Sequence, residues 1–209
     1  MTSTVIRVLL EVAPRKAYAS ALDWPGLARS GRDPSAALEA LAAALPRYAP
    51  IAAAAGYPLA ADAPFAVVEE LPGDASTAFG VPAMVAASDH TATTAADGER
   101  LAALVNAVWA ALDAIAATAP EELRKGPRGG GRDRTKMLEH VAGGEDAYAT
   151  VMGLRQGERT RAAMLAVLRA PSDGSPLAGK RWPVRYAARR IAWHVLDHAW
   201  EIEDRASPG

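Results

Sequence analysis

Residues 189–205 constrain the fold more than any other stretch, because they read as an uninterrupted helical pattern, part of a last helix starting at Trp182-Pro183 that is apolar on two faces. Ala187, Ile191, Val195, His198 and Ile202 recur on one stripe with His194 beside it, and Trp193, Leu196 and Trp200 form a second. A helix with two apolar faces must be covered on both, which puts it at the centre of the chain's architecture. The covering partners are neighbouring helices on one side and either the N-terminal part or a second copy on the other; Trp193 and Trp200 suit both. Trp182-Pro183 precedes the pattern, and proline is favoured at the first helical position. Within this helix His194 and His198 stand one turn apart. At that spacing two imidazoles leave one face about 6 Å apart at Cβ and can reach a common ion through bonds of about 2.1 Å.

The segments before it are also helical. Leu101, Leu104, Val105, Val108, Leu112 and Ile115 form a stripe that ends at Pro120. A second helix runs from Asp133, with Met137, Val141, Tyr148 and Val151 inward and His140 on the same stripe beside Gly144. A shorter one from about Glu158 carries Met164, Leu165 and Leu168. Four helices with short to medium connections make a bundle, and a bundle can set His140 beside His194 and His198. Three imidazoles with one open position match the composition of a catalytic rather than a structural metal site, since structural sites fill all four places with protein ligands. Asp197 and Glu201 are both candidates to orient a ligand from behind. The rival reading is a hydrogen-bonded cluster of neutral histidines. His90, beside Asp89 in a loop-like stretch, reads as solvated.

Upstream the pattern changes. Residues 5–12 are short and rich in β-branched side chains, residues 17–22 read as their hairpin partner, and Ala13-Pro14-Arg15-Lys16 supplies the turn. Asp23-Trp24-Pro25-Gly26 stops the second strand. Asp33 can cap a helix with Pro34 at its first position, followed by Leu38, Leu41, Leu45 and Tyr48. Pro46 should kink or divide that helix. Residues 65–71 read as a third strand closed by Pro72-Gly73-Asp74, and residues 81–86 are a candidate edge strand. The order strand, strand, helix, strand makes a small α+β layer. The chain is therefore divided into residues 1–80, a linker at 81–96 rich in small residues, and a helical part at 97–209.

The run from Leu22 to Gly31, followed by Asp33-Pro34-Ser35-Ala36-Ala37-Leu38, resembles the HicB-like fold over roughly residues 4–71, with Trp24 where that family often has a smaller residue. The resemblance implies a domain that binds a protein partner, as in antitoxins; no basic ribbon or helix-turn-helix pattern follows it. Met137-Leu138-Glu139-His140-Val141-Ala142 and Trp193-His194-Val195-Leu196-Asp197-His198-Ala199-Trp200-Glu201-Ile202 resemble the DinB/YfiT-like four-helix bundles over residues 97–206. That resemblance implies metal ligation by His140, His194 and His198, zinc or nickel as the ion, and in some members transfer chemistry with a low-molecular-weight thiol. The fold class expected is α+β, a HicB-like β-β-α-β domain followed by an all-α DinB-like bundle.

Composition removes other classes. With 23 basic and 24 acidic side chains there is no electrostatic case for nucleic acid or an anionic membrane surface. The absence of cysteine excludes disulfides and a thiolate nucleophile, so any transition metal takes histidine and carboxylate. No charged n-region leads into an apolar segment at the start and no run approaches the ~20 apolar residues of a membrane span, so the chain is expected in the cytoplasm. Lys125 to Arg132 is a basic glycine-rich loop that lacks the strand and the GK[ST] ending of a phosphate-binding loop. Two functions remain. One is a metal-dependent thiol transferase or hydrolase acting on a small molecule, with Arg185, Arg189 and Arg190 as candidates to attract an anionic substrate. The other is an interaction or antitoxin-like scaffold working through its N-terminal part, with homodimerisation compatible with either.

Overall fold

The structure, a computed structural model, describes residues 5–125 and 131–206. Residues 126–130 of the basic loop lie outside that set. The architecture is mixed α+β: a four-stranded sheet in the order β3 (Ala28–Gly31), β2 (Lys16–Ala21), β1 (Ile6–Ala13), β4 (Phe65–Pro72), followed by helices. Strands β1 (Ile6–Ala13) and β2 (Lys16–Ala21) pair antiparallel, with Ala13 opposite Lys16 across the Pro14-Arg15 turn. At Gly26 the backbone takes φ +97°, which a side chain would oppose, and the chain turns back into β3 (Ala28–Gly31). This short strand has no β-branched residue and was not expected; pairing with β2 fixes it.

Helix α1 (Pro34–Ala54) starts where its cap predicts, with the Asp33 carboxylate accepting from the Ala36 amide at 2.9 Å. It is not divided at Pro46, and a second proline, Pro50, also lies inside it. The prolines free the carbonyls of Ala42 and Pro46. Ala42, Pro46 and Pro50 occupy one exposed stripe at four-residue spacing, where water replaces the lost donors. The opposite stripe, Leu41, Leu45 and Tyr48, is buried against the sheet face formed by Val8, Leu10 and Ala19. Each such leucine contributes about 1.5–3 kcal/mol.

Strand β4 (Phe65–Pro72) runs parallel to β1, with a bulge at Val68. Asp74 then caps a short helix, α2 (Ala75–Phe79). Residues 81–86 are not an edge strand. β4 already holds the edge beside β1, Pro82 lacks a donor, and the segment instead crosses the second sheet face, where the Ala83 amide donates to Glu11 at 2.9 Å. The stretch read as a linker is thus fastened to the sheet.

Glu11 is wholly buried on that second face. Its Oε2 accepts from the Ala83 amide and, at 3.2 Å, from the Thr77 hydroxyl, while Oε1 has no partner among the described residues. Burial pushes its pKa up, opposed by bonds from the Ala83 and Met84 amides and by the charge on Arg189. A folded-state pKa above the unfolded one means that the native state holds the extra proton, so stability from this group is full at low pH and is lost as pH rises through the raised value. Glu11→Gln keeps an acceptor and cannot ionise. Relative to the parent, it should therefore gain on the order of 1 kcal/mol between pH 5 and pH 8, read from urea unfolding at the two values. An unchanged difference would show that Glu11 does not titrate in this range.

The helical part comprises α3 (Ala95–Thr118), α4 (Arg134–Val151), α5 (Arg161–Arg169) and α6 (Val184–Ala206). Pro183 stands just before α6 rather than at its first position, its carbonyl accepting from the Ala187 amide. Alanine and leucine make α3 long and apolar enough to cross a membrane by length and composition, contrary to the count of uninterrupted apolar residues. Here its Leu101, Leu104, Val105, Val108 and Leu112 are buried in the core. That core continues without a break from the sheet and α1 into α3 and α6. Trp193 packs edge-on to Tyr18 of β2, and Trp200 lies under the guanidinium groups of Arg29 and Arg47 at 4.1 and 4.8 Å. Both indoles are covered by the N-terminal layer of the same chain.

Candidate metal centre

His194 and His198 leave one face of α6, and α4 lies across that face with His140 opposite them. One coordinating atom from each ring can be chosen so that all three lie within 4.8 Å of one another. The Nε2 atoms of His140 and His194 are 3.3 Å apart. Two ligands at about 2.1 Å on a tetrahedral ion stand about 3.4 Å apart, so this pair already has the spacing of an edge of the coordination shell. The rings pack edge to face, with centroids 4.8–5.1 Å apart.

The glycine one turn after His140 makes this approach available. A Cβ built on Gly144 would sit 2.5 Å from Cε1 of His194 and 2.9 Å from its Nδ1. Glycine inside a helix costs about 1 kcal/mol against alanine, and here the missing methyl leaves the space that the imidazole fills. Gly144→Ala should thus leave the fold intact and weaken metal binding about 10- to 100-fold by displacing His194. Competition with a chromogenic chelator measures this, and unchanged affinity would mean that the ring moves aside freely.

His198 is oriented from behind. Its Nδ1 lies 3.2 Å from Oε2 of Glu201, whose other oxygen accepts from Arg205 at 3.0 Å. The bond to His198 is the first cause, with Arg205 adding to it, of a Glu201 pKa below the usual carboxylate value. A carboxylate on Nδ1 selects the tautomer with hydrogen there and leaves Nε2 free to ligate. Of the two carboxylates on offer in the sequence, Glu201 takes this role. Asp197 pairs with Arg29 at 3.2 Å, and burial raises its pKa.

Burial also favours neutral rings. His194 is 7% exposed, and desolvation followed by the charges of His198, Arg190 and His140 pushes its pKa down to about 3. Desolvation, then His198, lowers that of His140. Metal ligation needs the deprotonated form, so the protein matrix prepares both rings for an ion. The Nδ1 of His194 is buried without a partner among the described residues.

The other candidates separate. His90 is exposed on the turn Ala87–His90 and takes no part. Arg189 is buried against Asp89, donating from Nε at 3.2 Å to Oδ1 and from Nη2 to Oδ2. Arg185 reaches the carbonyls of Thr91 and Ala92 and lies 3.7 Å from Asp97. Arg190 has no carboxylate partner in the ion pairs of the described residues; its guanidinium stacks on Tyr148 at 5.2 Å and Trp193 at 4.7 Å. The buried Asp89 was not singled out in the sequence. The available signal was Arg189, a charge on an otherwise apolar helix face that demanded a partner.

No family model, curated protein or solved structure matches the chain.

Proposed function

We propose that this chain binds one divalent metal ion through His140, His194 and His198 and uses it in transfer or hydrolysis of a small molecule. The observation that carries the reading is the convergence of three imidazoles from two helices, two of them desolvated and the third backed by Glu201. Three nitrogen ligands and no cysteine favour zinc or nickel. Such an ion, when bound, lowers the pKa of a water or thiol beside it and polarises an electrophile. The chain's own part is to favour the neutral form of His140 and His194, to fix the His198 tautomer through Glu201, and to keep the centre half-covered between α4 and α6. On this reading the helical part is a DinB/YfiT-like bundle and the N-terminal layer is HicB-like, with a low-molecular-weight thiol as a candidate co-substrate. Protein purified without a histidine tag should contain about one equivalent of metal. If metal-loaded protein stays at background with thiols, electrophiles and esters, the enzymatic half of the proposal fails and the metal is structural.

A second reading, an interaction scaffold, draws on the outer strand. On β4, Val67 and Val68 are exposed, and Phe79 on α2 is 86% exposed. An edge strand with exposed apolar residues can pair with another chain. A monomer in sedimentation that captures no partner would count against it.

A further inference from the structure

A cavity of about 310 Å³ opens beside the metal centre, between the bundle and the N-terminal layer. Tyr148 of α4, Trp182, and Tyr186 and Arg190 of α6 form one wall, and Arg181 stands beside them. The opposite wall is the segment 74–85, tied across by the Tyr186 hydroxyl donating to the Ala83 carbonyl at 3.1 Å. Trp182 packs against the other two rings, its centroid 5.3 Å from both Tyr148 and Tyr186. Tyr148 also stands 5.5 Å from His194, so its ring separates the cavity from the metal ligands. Arg190 and His194 are four residues apart on α6 and point along the same face.

The charge balance of this cavity is the informative point. Arg190 is half-buried, forms none of the ion pairs among the described residues, and keeps Nη1 buried without a partner. On its other side lies a second cavity of about 10 Å³, shared with Ser20 and Trp193, which holds at most one water. Of the two cavities, only the larger has room for an anion beside the guanidinium. Asp74, the carboxylate on that wall, accepts from the amides of Ser76 and Thr77 as the cap of α2. Two arginines against one committed carboxylate leave the cavity positive. Its size is near the lower end for small-molecule sites, and one of its walls is aromatic.

We infer that this cavity is a subsite for a small planar carboxylate, with the anion on Arg190 and the ring or conjugated body against the wall of Tyr148, Trp182 and Tyr186. The inference rests on the metal-centre reading for what would happen to such a ligand and is independent of it for binding. Benzoate is the probe, titrated by tryptophan fluorescence and calorimetry into metal-free and metal-loaded protein. Saturable binding by about 10 mM in both forms is expected, with benzamide, its neutral isostere, and acetate, which lacks the ring, each at least about tenfold weaker. Arg190→Met should weaken benzoate by about tenfold or more. No saturation in wild type, or benzamide binding as well as benzoate, overturns the charge assignment without any variant having to fold. Acetate matching benzoate overturns the aromatic one. Benzoate binding to protein that takes up no metal would leave this subsite standing while the metal reading fell, so the two failures are distinguishable.

Discussion

His194→Ala is expected to abolish stoichiometric metal binding while leaving the chain folded. His194 supplies the Nε2 nearest to that of His140, at 3.3 Å, and is the most buried of the three ligands. Removing it leaves two imidazoles on different helices, and such a pair loses at least about 100-fold in affinity. The fold should survive because the deleted ring has an unpartnered Nδ1 and its Nε2 meets only the His140 Nε2, so the metal-free protein loses packing and that one hydrogen bond. Thermal unfolding separates these effects. Zinc at a hundredfold excess over its dissociation constant stabilises by about 2.7 kcal/mol, some 5–10 °C for a chain of this size. Wild type should show that rise and His194→Ala should show none, with His90→Ala as the control that behaves as wild type. Equal rises in wild type and His194→Ala would place the ion elsewhere.

Asp89→Ala should produce the largest loss of stability, about 3–5 kcal/mol in urea unfolding. The substitution leaves the Arg189 guanidinium charged and enclosed, and also removes the acceptor for the Ala86 amide at 2.8 Å. Both side chains are almost fully buried, so water cannot take over. Ion pairs of this kind are expensive to break and much less so to replace. Asp89→Leu combined with Arg189→Met should therefore recover much of the loss, because no charge is left without a partner. A loss below about 1 kcal/mol for Asp89→Ala would show that the pair is solvated in solution.

These two sites differ in how far the sequence disclosed them. The histidines were legible because helical periodicity fixes which face a residue occupies, and His198 and His140 fell on apolar stripes with His194 beside the first. The Asp33 cap and the β1–β2 hairpin were legible through local rules as well. Strand β3 was not, since Ala28-Arg29-Ser30-Gly31 has no strand propensity and exists through its pairing with β2. The stretch 81–96 was read as a linker from its small residues, with 81–86 as a candidate edge strand. Its actual anchors, Glu11 to Ala83 and Arg189 to Asp89, join residues 72 and 100 positions apart, and no local pattern encodes them. Pro46 was read for its lost hydrogen bond but not for the exposed stripe that makes the loss tolerable.

Helix α6 is buried around most of its circumference, whereas α4 buries only Met137, Val141 and Ala149 and leans chiefly on α6, with bonds from the Trp109 indole to Glu145 and from Arg134 to the Ala116 carbonyl among its ties to α3. The two halves of the coordination shell are therefore unequal in stiffness. With His194 and His198 on the enclosed helix and His140 on the less buried one, ions of different radius would be accommodated by displacement of α4 rather than of α6.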